Sequence, residues 1–185
     1  MKGWLLVLAL VGCRAARDGP YDPTSEAERN TVRAQELNAN AADLISENPG
    51  EAERLLRQAL GADLFFGSAH NNLGVLFLKE GKLYEAAAEF EWARKLMPGH
   101  PDPRMNLALT LEQAGQVDEA IKAYQTALEV YPGHVPTIEA LARLHVCQHR
   151  ESADLPGWLH TIAMQGETEE WREWAQAEMA RVRHE

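Results

Sequence analysis

Residues 67–100, GSAHNNLGVLFLKEGKLYEAAAEFEWARKLMPGH, run without a gap into residues 101–134, PDPRMNLALTLEQAGQVDEAIKAYQTALEVYPGH. The two stretches are one 34-residue unit written twice. Superposing them pairs Leu73 with Leu107, Gly74 with Ala108, Phe77 with Leu111, Gly81 with Gly115 and Ala86 with Ala120. Phe90 falls on Tyr124, Ala93 on Ala127, and Pro98-Gly99-His100 on Pro132-Gly133-His134. Apolar residues recur at the three- and four-residue spacing of one helix face. A glycine separates two such faces in each copy, and a proline closes the second. Each unit therefore reads as a helix pair, and repetition of the pair predicts a stack with a continuous core.

The pattern places small residues where two helices cross closely and a bulky one between them. This resembles the tetratricopeptide repeat (TPR). The resemblance implies an all-α fold: a TPR α-solenoid, a right-handed superhelix of helix–turn–helix repeats with a C-terminal capping helix. It covers about 110 residues and leaves the partner open.

Upstream, residues 25–66 read as a first, irregular repeat. Ser25-Glu26-Ala27-Glu28 has the form of a capping box, which predicts a helix over about residues 25–46, ended by Asn48-Pro49-Gly50. In the helix that follows, Ala52, Leu56 and Ala59 lie one period before Ala86, Phe90 and Ala93. An ungapped register for the first helix buries Asn40 and Asp43; shortening the turn by one residue restores Leu37, Ala41 and Leu44 to the apolar stripe. Downstream, residues 135–185 read as a partial repeat and a cap. Ile138, Leu141, Ala142 and His145 continue the first-helix pattern. A short helix over 155–163 follows, ended by Gly166, and Thr168 caps a last helix carrying Trp171, Trp174, Ala175 and Met179. Terminal repeats must cover an otherwise exposed core, which is the expected task of these tryptophans; a partner surface is the alternative.

Residues 1–12 read as a cleaved targeting segment: Lys2, then a short apolar run too brief to span a bilayer, which takes about 20 residues. Leu10-Val11-Gly12-Cys13 resembles a bacterial lipobox. That resemblance implies lipidation of Cys13 by a diacylglyceryl group and an N-acyl chain, with Arg14 in the next position mildly favouring the outer membrane. A plain secretory signal with a chance cysteine is the other reading. Residues 13–24 carry two prolines and a glycine and read as a flexible tether. The expected localisation is the bacterial cell envelope, lipid-anchored on the periplasmic face.

The formal net charge of −10 argues against nucleic acid, which needs clustered Lys and Arg. Two cysteines, Cys13 and Cys147, are too few for a disulfide framework. No cofactor motif is present. His145 and His149 stand at a zinc-compatible spacing, but no third ligand or catalytic glutamate accompanies them. His145 falls on the core stripe, and Cys147 is placed on a buried stripe as well. No catalytic constellation emerges, and an enzyme is not expected; a metal-dependent one is a minor alternative.

In TPR arrays the first helix of each repeat lines a concave groove. The sixth position of the repeat is Asn72 in one copy and Asn106 in the next, with Asn38 a third if the first repeat is ungapped. Stacked asparagines resemble the ladders of TPR proteins that grip an extended peptide, since an amide offers both donor and acceptor. Val75 and Leu109 add apolar contact. TPR proteins that clamp acidic chaperone tails carry Lys and Asn, then Lys and Arg, where this chain has Asn71, Val75, Asp102 and Asn106, so that clamp is absent. On the outer face Tyr84, Ala88 and Trp92 share one stripe, where the next copy has Asp118, Lys122 and Thr126. The stripe marks a partner surface, unless the C-terminal tail or the first helix covers it. The expected role is a membrane-anchored adaptor binding a protein or extended peptide. Pilotins and adaptors for peptidoglycan enzymes are the kinds of TPR lipoprotein it resembles. A self-assembling subunit, a homodimer through Tyr84 and Trp92, is the alternative.

Overall fold

The computed structural model describes residues 29–182, and among them the chain forms nine α-helices and no strand. They are α1 (Thr31–Leu44), α2 (Pro49–Ala62), α3 (Gly67–Lys79), α4 (Leu83–Leu96), α5 (Asp102–Gln113), α6 (Val117–Val130), α7 (Val135–Cys147), α8 (Leu155–Gln165) and α9 (Glu169–Val182). Successive helices pack as antiparallel neighbours, and the first helices α1, α3 and α5 also touch one another. This is the all-α TPR solenoid that the repeat implies, closed by α8 and α9 together.

The helix pairs cross where the sequence places its smallest residues. A methyl group added at Gly74 would lie 2.6 Å from Cε1 of Phe90, so only glycine lets α3 and α4 approach this closely. Each first helix of the two regular repeats then ends on a glycine in the left-handed region, Gly81 at φ 74° and Gly115 at φ 76°. The amide of the following residue returns to a carbonyl five residues back, Lys82 N to Phe77 O and Gln116 N to Leu111 O, both 2.9 Å. This closure satisfies end carbonyls that a helix leaves open.

Helix α1 begins later than the Ser25 capping box suggests. Its cap is Asn30, whose side chain accepts from Arg33 N; Ser25 to Glu28 lie outside the described residues. The entry is fixed at long range. Asn30 N donates to Ala62 O, while Arg29, Thr31 and Phe65 N all donate to the buried Asp63 carboxylate. Burial would raise the Asp63 pKa, but these bonds outweigh it and hold the carboxyl below its usual range. Along α1, Ala34 and Ala41 are fully buried, Leu37 and Leu44 half-buried, and Asn40 and Asp43 exposed. That is the pattern of the shortened register.

The core runs in three linked clusters. Phe90, Leu73 and Leu56 centre the first, and Tyr124 with Leu141 the second. Ile138, Leu159, Ile162 and Ala175 form the third, against which Trp158, Trp171 and Trp174 pack. The tryptophans of the closing segment therefore cover the end of the core. Thr168 starts α9 as read from the sequence, accepting from Trp171 N at 3.3 Å.

Candidate peptide-binding groove

The first helices bring the asparagines together, in a different register from a simple ladder. Asn72 Nδ2 donates to Asn38 Oδ1 at 2.9 Å, and Asn106 Nδ2 donates to Asn71 Oδ1 at 3.1 Å. In the shortened register Asn38 is the counterpart of Asn71, not of Asn72. Each pair thus links position five of one repeat to position six of the next. Asn38 belongs to the ladder, but as an acceptor at position five. All four amides are half-buried, as are Val75 and Leu109.

Pairing consumes half of each side chain's capacity and leaves the complement. Asn38 and Asn71 keep their Nδ2 donors; Asn72 and Asn106 keep their Oδ1 acceptors, and no other bond to them occurs among the described residues. Each pair therefore presents a donor beside an acceptor, matching the C=O and N–H of an extended peptide. Beside them a recess of about 260 Å³ opens between α3 and the start of α5. Further along, Glu112 on α5 accepts from Arg143 on α7 (2.7 Å) and from the Tyr124 hydroxyl (3.0 Å). Burial, then the adjacent Glu112 carboxylate, pushes the Tyr124 phenol well above its ordinary pKa.

The outer stripe stays open. Tyr84 is 86% exposed and Trp92 49%, with Ala88 exposed between them. Neither the C-terminal helices nor α1 covers it. Trp92 is held from beneath: its ring stacks on buried His70 at 5.8 Å and 17°, and His70 Nδ1 lies 2.6 Å from Glu89 Oε2. The position of His70 is Arg104 in the next copy, so the signal for this support was in the alignment of the repeats.

Two readings of the α7 end are corrected. Cys147 is exposed, not buried, because the buried stripe of α7 stops at His145. His149 does not share a helix face with His145. It lies beyond the last turn at φ 50°, in the place that Gly81 and Gly115 hold in the preceding repeats. His145 is buried with its ring 5.5 Å from Trp158, and its Nε2 has no hydrogen-bond partner among the described residues. No group of three or more His, Cys, Asp or Glu among the described residues is placed to hold a metal ion. Nor is any helix there long and apolar enough to cross a membrane. Cys13 lies outside the described residues.

Two tetratricopeptide-repeat family models match, over residues 44–101 and 77–145, together more than half of the chain. Residues 44–145 are tetratricopeptide repeats. The chain's sequence is 29% identical over 179 residues to TPR repeat-containing protein PA4299 of Pseudomonas aeruginosa, covering 80% of this chain and 73% of that one. Other curated relatives are matched over only 17 to 29% of their own length, so there the chain resembles one segment of a larger protein. Among solved structures, pilF of Pseudomonas aeruginosa superposes with a TM-score of 0.72 at 19% identity, over 86% of this chain and 71% of that one. The first TPR of Spaghetti (RPAP3), bound to HSP90 peptide SRMEEVD, superposes with a TM-score of 0.61 at 15% identity, over 66% of this chain and 98% of that one. At these identities the likeness is one of fold.

Proposed function

We propose that this chain is an adaptor of the bacterial cell envelope, presenting the concave face of its repeats to an extended segment of a protein partner. The observation that carries the reading is the pair of asparagine bridges, Asn72 to Asn38 and Asn106 to Asn71. They repeat with the array and hold a donor and an acceptor side by side in each seam. A peptide backbone is the ligand that matches such a row without regard to side-chain identity. Val75 and Leu109 supply apolar contact alongside. Support also comes from a protein of similar fold seen with a bound peptide. Placement at the envelope, on the outer membrane through a lipid on Cys13, rests on the sequence Leu10-Val11-Gly12-Cys13. Acyl chains suit this anchoring, since each buried methylene contributes about 0.8 kcal/mol whereas an acidic domain gains nothing from an anionic surface. A pilotin-like role or the positioning of an envelope enzyme fits such an anchor.

The test is affinity purification from detergent-solubilised envelopes with three baits: the full-length chain, Cys13→Ala, and Asn72→Ala combined with Asn106→Ala. Partners held by the first bait and lost by the third support the groove. Retention by all three removes the asparagines from the mechanism. Partners found only with the lipidated chain make membrane placement part of recognition, while Cys13→Ala remaining in the membrane fraction would overturn the lipid anchor. The exposed Tyr84 and Trp92 favour one second reading, self-association of the outer stripe. It moves ahead if no bait retains a partner and the particle size of the full-length chain grows with concentration.

A further inference from the structure

The recess beside the asparagines has a chemistry of its own. Its walls are Ser68, Asn71 and Asn72 on α3, Met97 and His100 before α5, and Asp102 with Pro103 in the first turn of α5. No lysine or arginine lines it. Asn71 keeps its Nδ2 donor at this wall, but Ser68 and Asn72 each have a donor engaged elsewhere and keep an oxygen acceptor. The Ser68 hydroxyl points its hydrogen at Met97 Sδ, 3.6 Å away, leaving oxygen lone pairs. Asn72 has committed Nδ2 to Asn38, leaving Oδ1. Asp102 contributes a carboxylate that is more than half exposed.

That carboxylate is oriented, not loose. His134 Nε2 lies 3.2 Å from Asp102 Oδ1, and His134 Nδ1 lies 2.7 Å from Thr137 Oγ1. The tautomer that donates from Nε2 to Asp102 accepts the Thr137 hydroxyl at Nδ1, so both ring nitrogens are used. One Asp102 oxygen thereby faces the residue that caps α7 and the other is available. The first turn of α5 favours negative charge at this place. A carboxylate, an amide oxygen and a hydroxyl oxygen around one small recess, in a protein of net charge −10, form a receptor for a multiple N–H donor bearing positive charge.

We infer that this recess is a specificity subsite of the groove, and that it takes the cationic side chain, lysine or arginine, of the bound peptide. It rests on the groove reading above and adds a sequence requirement to what is otherwise backbone recognition. The preference is opposite in sign to that of TPR proteins that clamp acidic tails, whose lysine stands where Asp102 stands here.

The experiment pans the full-length chain, in detergent micelles, against a random dodecapeptide library displayed on phage. Selected peptides are then synthesised with their basic residue intact and replaced by norleucine, which keeps the aliphatic stem and removes the charge. The expected result is enrichment of Lys or Arg at one fixed position. Norleucine should weaken binding to the wild-type chain about fivefold, the scale of a partly exposed ion pair. Asp102→Asn should weaken binding of the basic peptide by a similar factor and leave the norleucine peptide within twofold, with the thermal melt unchanged. Enrichment without a basic position would overturn the subsite and leave the groove intact. A fixed basic position indifferent to Asp102→Asn would also overturn it, placing the charge elsewhere. Failure to enrich any peptide would remove the groove and the subsite together. If Asp102→Asn fails to fold, Asp102→Ser, which removes the charge and keeps an oxygen suited to a helix start, takes its place with the same expected and overturning outcomes.

Discussion

The repeats at 67–100 and 101–134 share a register and a backbone, yet they solve the same packing problem in two ways. In the first, Gly74 lets the Phe90 ring lie against the α3 backbone. In the second, Ala108 supplies the methyl that Gly74 lacks, and the facing ring belongs to Tyr124, whose hydroxyl reaches Glu112. At the Phe90 ring the first crossing is apolar, and the polar contact of that helix pair, His70 with Glu89, lies apart from it. The second carries a buried polar contact tied on to Arg143 of α7. The outer faces differ in the same sense, Tyr84, Ala88 and Trp92 against Asp118, Lys122 and Thr126. Positions that set helix spacing are held in kind, while those outside the crossing are given over to different tasks.

The sharpest way to break the comparison is to fill the first crossing. Gly74→Val places a branched side chain where the Phe90 ring already lies, and should destabilise the chain by about 3 kcal/mol. Thermal unfolding followed by far-ultraviolet circular dichroism reads this directly. Ala108→Gly, the reciprocal change, should cost only about 1 kcal/mol, because it opens space without overlap. Equal effects would mean that the two crossings are not distinguished by close approach.

A smaller effect tests the polar crossing. Tyr124→Phe removes the bond to Glu112, which keeps Arg143, and should cost about 1–2 kcal/mol at neutral pH. The pH dependence carries a sign of its own. Burial and Glu112 raise the folded-state pKa of Tyr124. The neutral phenol is thus favoured in the folded chain, and the unfolded chain ionises first, at about pH 10. The contribution is complete below that point and declines as pH rises further, by up to about 1.4 kcal/mol per unit. Denaturant titrations from pH 8 to 11 should show this loss in the wild-type chain and less of it in Tyr124→Phe. Parallel alkaline slopes would place the ionisation elsewhere.

The smallest expected change is a gain. The fourth first-helix, α7, is followed by His149 in the left-handed conformation that α3 and α5 give to glycine. A side chain there costs about 1 kcal/mol, so His149→Gly should raise stability by about 0.5–1 kcal/mol. A loss instead would show that the imidazole makes a contribution beyond closing the helix.

What was legible follows the same division. The repeat, the glycine turns, Thr168 and the tryptophan cap are local signals that recur or stand alone, and they survive folding. The start of α1 was not legible. The Ser25 capping box pointed to an earlier start, whereas the cap is Asn30, held in place by contacts of its neighbours and its own amide with Asp63 and Ala62 across the helix pair. The asparagine register was half legible: the residues stood out by period, but their pairing depends on a one-residue change in the first turn. Cys147 was misjudged because periodicity extends a buried stripe to the end of a helix, whereas burial on α7 ends with the last side chain that α8 reaches.

The asparagine bridges have a mechanical side. Each lies across the seam between two repeats, so its length reports the angle at which those repeats meet. A ligand satisfied by the remaining donors and acceptors leaves both bridges closed and finds the array already at its working curvature. A ligand that captured Asn72 Nδ2 or Asn106 Nδ2 would have to break a bridge and let the seam hinge. The groove is in this sense sprung at two points, with the bend of the solenoid and the grip on a guest drawing on the same four amides.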